Sequence, residues 1–423
     1  MAAADAGQTR EKRLAPKILL IGTLDTKGEE AAYVRGLIRE RGHPVTVLDA
    51  GVLGAPPFEP EVAAGEVAEA GGRSLEELRR RRDRGEALEA MARGARRLAS
   101  RLHEGGEVAG VLGLGGSCGT AIATTVMRGL PVGLPKVMIS TMASGDVRSY
   151  VGVADVTMMY SVVDIAGLNR ISMRILANGA AAVCGMVEQD VPGDEERPLI
   201  AATIFGVTTP CVDRLRGRLE EAGYEVLVFH ATGSGGRAME RLIESGLIDG
   251  VADVTTTEWC DELVGGVLSA GPDRLTAAGR AGIPQVVSVG ALDMVNFGAR
   301  DSVPERFRAR TLHVHNPDVT LMRTTADECA RLGEAIAERL NRARGPTDLL
   351  IPLRGVSALD REGQPFFDPE ADTALFESLR RNVGPSVTLV ELDHHINDPE
   401  FADAIADRFL SHQEKGSDAL HRP

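Results

Sequence analysis

At 423 residues, with 43% apolar but only 4% aromatic side chains, the chain is long enough for two domains with aliphatic cores. Its 47 Lys+Arg against 61 Asp+Glu leave a net charge of −14, which argues against nucleic-acid or anionic-membrane partners. Five scattered cysteines without a Cys-x-x-Cys pair argue against a disulfide framework, and no apolar run approaches a membrane span, so the expected setting is reducing and cytoplasmic.

Residues 1–14 and 413–423 are polar and aperiodic, and are expected to be mobile ends. The first ordered stretch, "KILLIGTLDTKGEEAAYVRGLIRERGHPVTVLDAG", reads as strand, turn, helix and strand. "KILLIG" is the continuous apolar run of a buried parallel strand. Ala31, Val34, Leu37 and Ile38 share one face of a helix over 28–38 that stops at Gly42. A charged helix is expected over 74–103, with Arg84 beside Gly85. "VLGLGGSCGTAIAT" (111–124) then reads as a strand running into a glycine-rich turn and a helix from about Ala121. The turn matches neither the dinucleotide-binding pattern nor the P-loop, because Cys118 stands where the first needs glycine and the loop has no lysine. "GLPKVMISTMASGDV" (133–147) is another apolar strand ending in small polar residues. Residues 160–187 are expected to be helical, with Val163, Ala166, Leu168, Ile171, Ile175 and Leu176 on a core or subunit-interface face.

Beyond the charged segment 188–198 the same grammar returns. "LIAATIFGVTTPCVDRLRGRLEEAGYEVLVFHATG" repeats strand, turn, helix and strand. "IDGVADVTTTEWCDELV" faces "EVAGVLGLGGSCGTAIA", and "GIPQVVSVGALDMV" faces "GLPKVMISTMASGDV". Four matched elements in one order predict an α/β chain of two Rossmann-like subdomains, residues 15–190 and 198–412, each with a parallel sheet flanked by helices.

In parallel sheets of this kind, ligands bind beyond the carboxyl ends of the strands. Three small-polar clusters fall there in the first half: "GTLDTKG", "GGSCGT" and "STMASGD", the last containing Ser144 and Gly145. Gly115, Gly116 and Gly119 permit close backbone approach, and Ser117 and Thr120 add hydroxyls. The following helix N-terminus favours an anion. Lys27 can supply the missing cation, while Asp25 suits Mg²⁺ or a helix cap, a role Thr26 could also fill. In the second half Glu258, His313, His315, Asn316 and Arg323 are candidates to touch a substrate. A zinc site from His313, His315 and Asp318 lacks a supporting motif. Cys211 lacks a base partner, and the Gly-x-Ser-x-Gly elbow is absent.

Taken together, "GTLDTKGEE", "GLGGSCGT", "PKVMISTMASGDV", "YSVVDIAGLNRIS", "HNPDVTLMRTT" and "LIPLRGVSALD" resemble a largely uncharacterised family. Its members are similar to the ATP-binding N-terminal region of the tomato mosaic virus resistance protein. The resemblance spans about residues 16–410. It implies ATP in the first subdomain and a homodimer, with the nucleotide at Asp25, Thr26, Lys27, Arg84 and the loop Gly115–Thr120. This chain has Cys118 where some relatives have glycine. The expected function is ATP-dependent action on a small anionic metabolite lodged between the domains. The alternatives are a nucleotide-gated regulatory module without catalysis, or a metal-dependent hydrolase or isomerase centred on the second half.

Overall fold

The computed structural model describes residues 16–190 and 197–420, with side chains up to Gln413. Residues 1–14 lie outside the described range, and the last helix continues to Leu420. The chain divides near residue 192 into two compact units.

The first unit holds β1 (Lys17–Gly22), β2 (Val45–Asp49), β3 (Val108–Gly115), β4 (Lys136–Ser140) and β5 (Thr157–Tyr160) in one parallel sheet, ordered β2-β1-β3-β4-β5. The order reverses between β1 and β3, the point at which such sheets open a crevice. Its helices are α1 (Leu24–Glu40), α2 (Ala64–Ala70), α3 (Leu75–Arg81), α4 (Arg84–Glu104), α5 (Ser117–Gly129), α6 (Arg148–Val151) and α7 (Arg170–Glu188). Alternation along β1 builds the two cores. Leu19 and Ile21 pack with Ala95 of α4 and Ile122 and Val126 of α5, whereas Ile18 and Leu20 pack with Val34 of α1 and Val183 of α7. Each such side chain, taken fully out of water, contributes about 1.5–3 kcal/mol before chain entropy is charged against it.

The second unit repeats the plan. It contains β6 (Leu199–Ile204), β7 (Glu225–His230), β8 (Gly250–Thr255), β9 (Gln285–Gly290), β10 (Met294–Phe297), β11 (Leu312–Asn316), β12 (Val319–Arg323), β13 (Thr347–Pro352) and β14 (Thr388–Leu392). Six strands form a parallel sheet ordered β14-β13-β9-β8-β6-β7. Read from β7, that is the order of the first unit with one strand added. The four elements matched in sequence, β1 to β4 against β6 to β9, hold the same places in the two sheets. The helices are α8 (Thr209–Glu221), α9 (Ser234–Glu244), α10 (Glu258–Val264), α11 (Ala277–Ala281), α12 (Ala326–Leu340), α13 (Pro369–Asn382) and α14 (Pro399–Leu420). An inserted antiparallel sheet, β10-β12-β11, has no counterpart among the described residues of the first unit. Both units are Rossmann-like.

Four helix expectations need correction. The single helix over 74–103 is two. Arg82 turns left-handed at φ 56° to end α3, and the Asp83 carboxylate then caps α4 by accepting from Glu86 N at 3.0 Å. The predicted helix over 160–187 begins only at Arg170. Asn169 Oδ1 caps it by accepting from Ile171 N and Ser172 N, and Tyr160 ends strand β5 instead. Helix α5 begins at Ser117 rather than Ala121, so the glycine-rich loop is already its first turn. Helix α1 begins at Leu24 and is kinked at Lys27. Helix α7 is long and apolar enough by composition to cross a membrane, yet it lays Leu176, Ala180, Val183 and Cys184 on the sheet.

Candidate functional site

The three polar clusters of the first unit end the adjacent strands β1, β3 and β4. Gly115 pairs with Ser140 across β3 and β4, and Thr141 N donates to the Gly115 carbonyl at 3.3 Å. Behind that edge, Thr120 donates to the Gly116 carbonyl and shares a 2.7 Å hydroxyl contact with Ser140. Thr120 is fully buried, so its hydroxyl ties α5 to β4. Gly119 serves packing in the same way. A Cβ on Gly115 would meet the Gly119 Cα at 2.9 Å, so strand end and helix approach more closely than side chains permit. Gly116 is the N-cap of α5, and no side chain caps that helix, which leaves its first turn open to an anion. Ser117, Ser144 and Gly145 are exposed.

A cavity of about 730 Å³ opens beside this helix start. Its polar wall is Thr23, Asp25, Thr26, Asp83, Cys118 and the arginines 79, 82 and 84. Its apolar wall includes Val52, Leu78, Leu88, Met91 and Ile122. Of the expected site residues, Asp25, Thr26, Arg84 and Cys118 line it. Lys27, the glycines, Ser117, Thr120, Ser144 and Gly145 do not. The cationic wall comes from the α3–α4 corner instead.

Local chemistry explains that corner. The left-handed turn at Arg82 swings the chain between two capped helices. Arg79 is braced by the Val52 carbonyl at 2.6 Å and the Gly54 carbonyl at 3.1 Å. Arg84 lies across the start of α5 and donates from Nε and Nη2 to Cys118 Sγ at 3.3 and 3.1 Å. That contact is the largest cause of the upward shift of the guanidinium. Arg79 and Arg82 escaped the sequence reading, although "SLEELRRRRDRG" contains the signal. Ser74 and Asp83 are both cap residues, and a second cap inside a presumed helix marks a break.

Asp25 does not cap α1. Thr23 holds the N-cap position, and Leu24 N is taken by Asp49 Oδ1 from the end of β2 at 3.0 Å. Asp49 is buried, which pushes its carboxyl up against the hydrogen bonds from Gly51 and Leu24. Asp25 Oδ2 accepts from Leu53 N at 2.7 Å, and Oδ1 is buried without a hydrogen-bond partner among the described residues. One carboxylate oxygen is therefore anchored by the loop while the other is uncommitted.

The second-half candidates do not form one site. Glu258 is 1% exposed and accepts from Arg274 Nε at 2.7 Å, Gly233 N at 2.6 Å and Gly236 N at 3.1 Å. It thus occupies the glycine-rich start of α9. Arg323 is buried in a different network centred on Asp372, at 2.6 Å. His313, His315 and Asn316 lie on β11, one of the two edge strands of the inserted sheet, and the last two are exposed. No metal-holding group of three or more His, Cys, Asp or Glu occurs among the described residues. Cys211 is buried on α8, and burial pushes its thiol up to about 12.

Comparison with known proteins places the whole chain. Residues 16–192 match the N-terminal domain, and residues 197–412 the C-terminal domain, of the uncharacterised protein family UPF0261. The chain belongs to the UPF0261 family. A UPF0261 protein of Clostridium tetani is 54% identical over 401 residues, covering 94% of this chain and 99% of that one. One from Mesorhizobium japonicum is 49% identical over 394 residues, covering 92% and 98%. The ToMV resistance protein Tm-1(GCR237) of Solanum lycopersicum is 45% identical over 335 residues, covering 77% of this chain but 44% of the plant protein. This UPF0261 chain therefore matches the bacterial relatives over more than nine-tenths of both chains and the plant protein over less than half its length.

Proposed function

We propose that the first unit binds ATP with Mg²⁺ in the cavity between the α3–α4 corner and the start of α5. The reading rests on one observation: a cavity of about 730 Å³ lined by three arginines, by Cys118 from the uncapped first turn of α5 and by aliphatic side chains. Phosphates suit the arginine side, where guanidinium forks and helix amides both favour anions. A nucleobase suits Val52, Leu78, Leu88, Met91 and Ile122. Asp25 fits Mg²⁺, because a phosphate-bound magnesium needs only one or two carboxylates and Oδ1 has no other partner among the described residues. The ion would screen phosphate charge there. The family resemblance read from the sequence implies a nucleotide in the same unit.

The protein is proposed to be a cytoplasmic homodimer that uses ATP on a small anionic metabolite. Titration calorimetry with ATP and Mg²⁺ tests the binding reading, which fails if no saturable heat is seen and labelled nucleotide is not displaced. Assaying ADP release across a panel of anionic metabolites separates an ATP-using enzyme from a nucleotide-gated module that performs no chemistry.

A further inference from the structure

Residues 353–368 join β13 to α13 and cross the carboxyl end of the second unit's sheet without regular structure. A connection that exceeds about 12–15 residues is uncommon in a compact domain unless it serves as a lid or binding loop. Its first half is held by backbone bonds, among them Leu353 N to the Leu392 carbonyl, Ala358 N to the Val207 carbonyl and Ala291 N to the Val356 carbonyl, and its second half by one buried charge group. Arg323, 5% exposed, donates to the Phe366 carbonyl at 2.7 Å, to the Asp368 carbonyl at 3.3 Å and to Asp372 Oδ1 at 2.6 Å. Its Nη2 also lies 3.7 Å from Asp360 Oδ1. From below, Ser357 Oγ donates to Asp293 Oδ2 at 2.7 Å, and within the segment Val356 N donates to Asp360 Oδ2 at 2.9 Å.

The charges in this group do not balance. Asp293 and Asp360 are fully buried and Asp372 is 8% exposed, so three carboxyls meet one guanidinium. His395 also faces the group: Asn397 N donates to its Nδ1 at 3.1 Å, and its Nε2 lies 2.9 Å from the Ser357 carbonyl. Cys329 on α12, 3.3 Å from Thr324 Oγ1, has its thiol pushed up to about 11 by burial and is neutral. Full ionisation would leave two uncompensated negative charges out of water, a cost that such sites avoid by keeping protons. Asp293 Oδ1 and Asp360 Oδ1 have no hydrogen-bond donor among the described residues, so no hydrogen bond compensates a negative charge on either oxygen.

We propose that residues 353–368 form a proton-operated strap, closed while the Asp293, Asp360 and Asp372 carboxyls retain a proton beside Arg323 and released when that proton leaves. Burial, with the neighbouring carboxylate second, pushes Asp293 up to about 7 and Asp372 up to about 8; burial also raises Asp360. An opened strap returns Asp360 to water, where its carboxyl titrates near 4. The closed form therefore binds more protons than the open form between about pH 4 and the raised values. Closure is complete at the acid end of that window and weakens as pH rises through it.

Hydrogen exchange read at Ala358, Asp360 and Phe366, whose amides bond to Val207, Ser357 and Leu359 carbonyls, tests the strap in the intact protein. After correction for intrinsic exchange, protection should fall about tenfold per pH unit for each retained proton between pH 5 and 7. It should level off above about pH 8, while amides of β6 and β8 hold steady. Asp372→Asn and Asp293→Asn should each flatten the slope. Protection independent of pH, or a slope unchanged in the variants, overturns the proposal. If neither variant folds, infrared titration of the unmodified protein decides. A buried-carboxylic-acid band lost with protection supports the strap, and its absence at pH 6 refutes it.

Discussion

The two units share a strand order and a point of reversal, yet they treat the carboxyl ends of their strands in opposite ways. In the first, the β1 and β3 ends lead to a cavity of about 730 Å³ with arginines 79, 82 and 84 on its wall. In the second, the equivalent β6 and β8 ends close on themselves. Thr208 and Thr255 share a 2.8 Å hydroxyl contact, Thr256 donates to the Ser288 carbonyl at 3.1 Å, and Thr257 donates to the Met294 carbonyl at 3.2 Å. Next to them Glu258 plugs the α9 N-terminus from inside the chain. Topology provides a ligand-binding edge in both units. The side chains that follow the strands decide whether a visitor can use it.

The largest expected effect comes from breaking the closed edge. Arg274 is 1% exposed and bridges Asp253, at 2.6 Å, with Glu258 and Glu240. Arg274→Met would strand those carboxylates in the interior, and removing one partner of a buried ion pair costs about 3–5 kcal/mol. Denaturant unfolding of the second unit should show that loss. A difference below about 1 kcal/mol would mean that water reaches the group. Gly236→Ala attacks the same plug sterically, because a Cβ there would lie 2.1 Å from Glu258 Oε2. Overpacking of this kind costs about 1–3 kcal/mol, again in the second unit's unfolding.

The open edge should respond in binding rather than stability. Arg84→Ala is expected to weaken ATP roughly ten- to a hundredfold, as for loss of a charged hydrogen bond to phosphate. Its exposure on the cavity rim predicts an unchanged melting temperature. Calorimetry and a melting curve on one preparation check both halves; a large fall in stability would make Arg84 a structural partner of Cys118 instead.

The shared plan of the two units was visible in the sequence, and the contrast between their edges was not. "KILLIG" against "LIAATIFG" and "GLPKVMIS" against "GIPQVVSVG" placed homologous strands, because buried parallel strands and their turns are written locally. The inserted sheet was harder to read: β11 is short, half-exposed and interrupted by a register shift between Val314 and Asn316. The closing of the second edge was not legible. Glu258 reaches Gly233, 25 positions earlier, and Arg274, 16 positions later, and spacing does not encode such destinations. Arg79 and Arg82 were hidden by the opposite problem, since an arginine run reads as a solvated helix until a left-handed residue turns it.

The smallest effect is the sharpest test of where the phosphate's cation sits. Lys27 was the sequence's candidate, and a lysine on phosphate should cost roughly ten- to a hundredfold in affinity when cut to alanine. It instead occupies a kink in α1, at φ −130° and ψ 22°, outside the cavity lining, while Thr23 and Thr26 present hydroxyls 2.9 Å apart to the cavity. With three arginines in the cavity lining, Lys27→Ala is expected to weaken ATP by less than about threefold, the scale of a distant, solvent-screened charge. The salt dependence of the residual effect distinguishes the cases, because screening at about 8–10 Å erases a remote charge but not a direct contact. A large loss that survives high salt would move the phosphates from the α3–α4 corner to the end of β1.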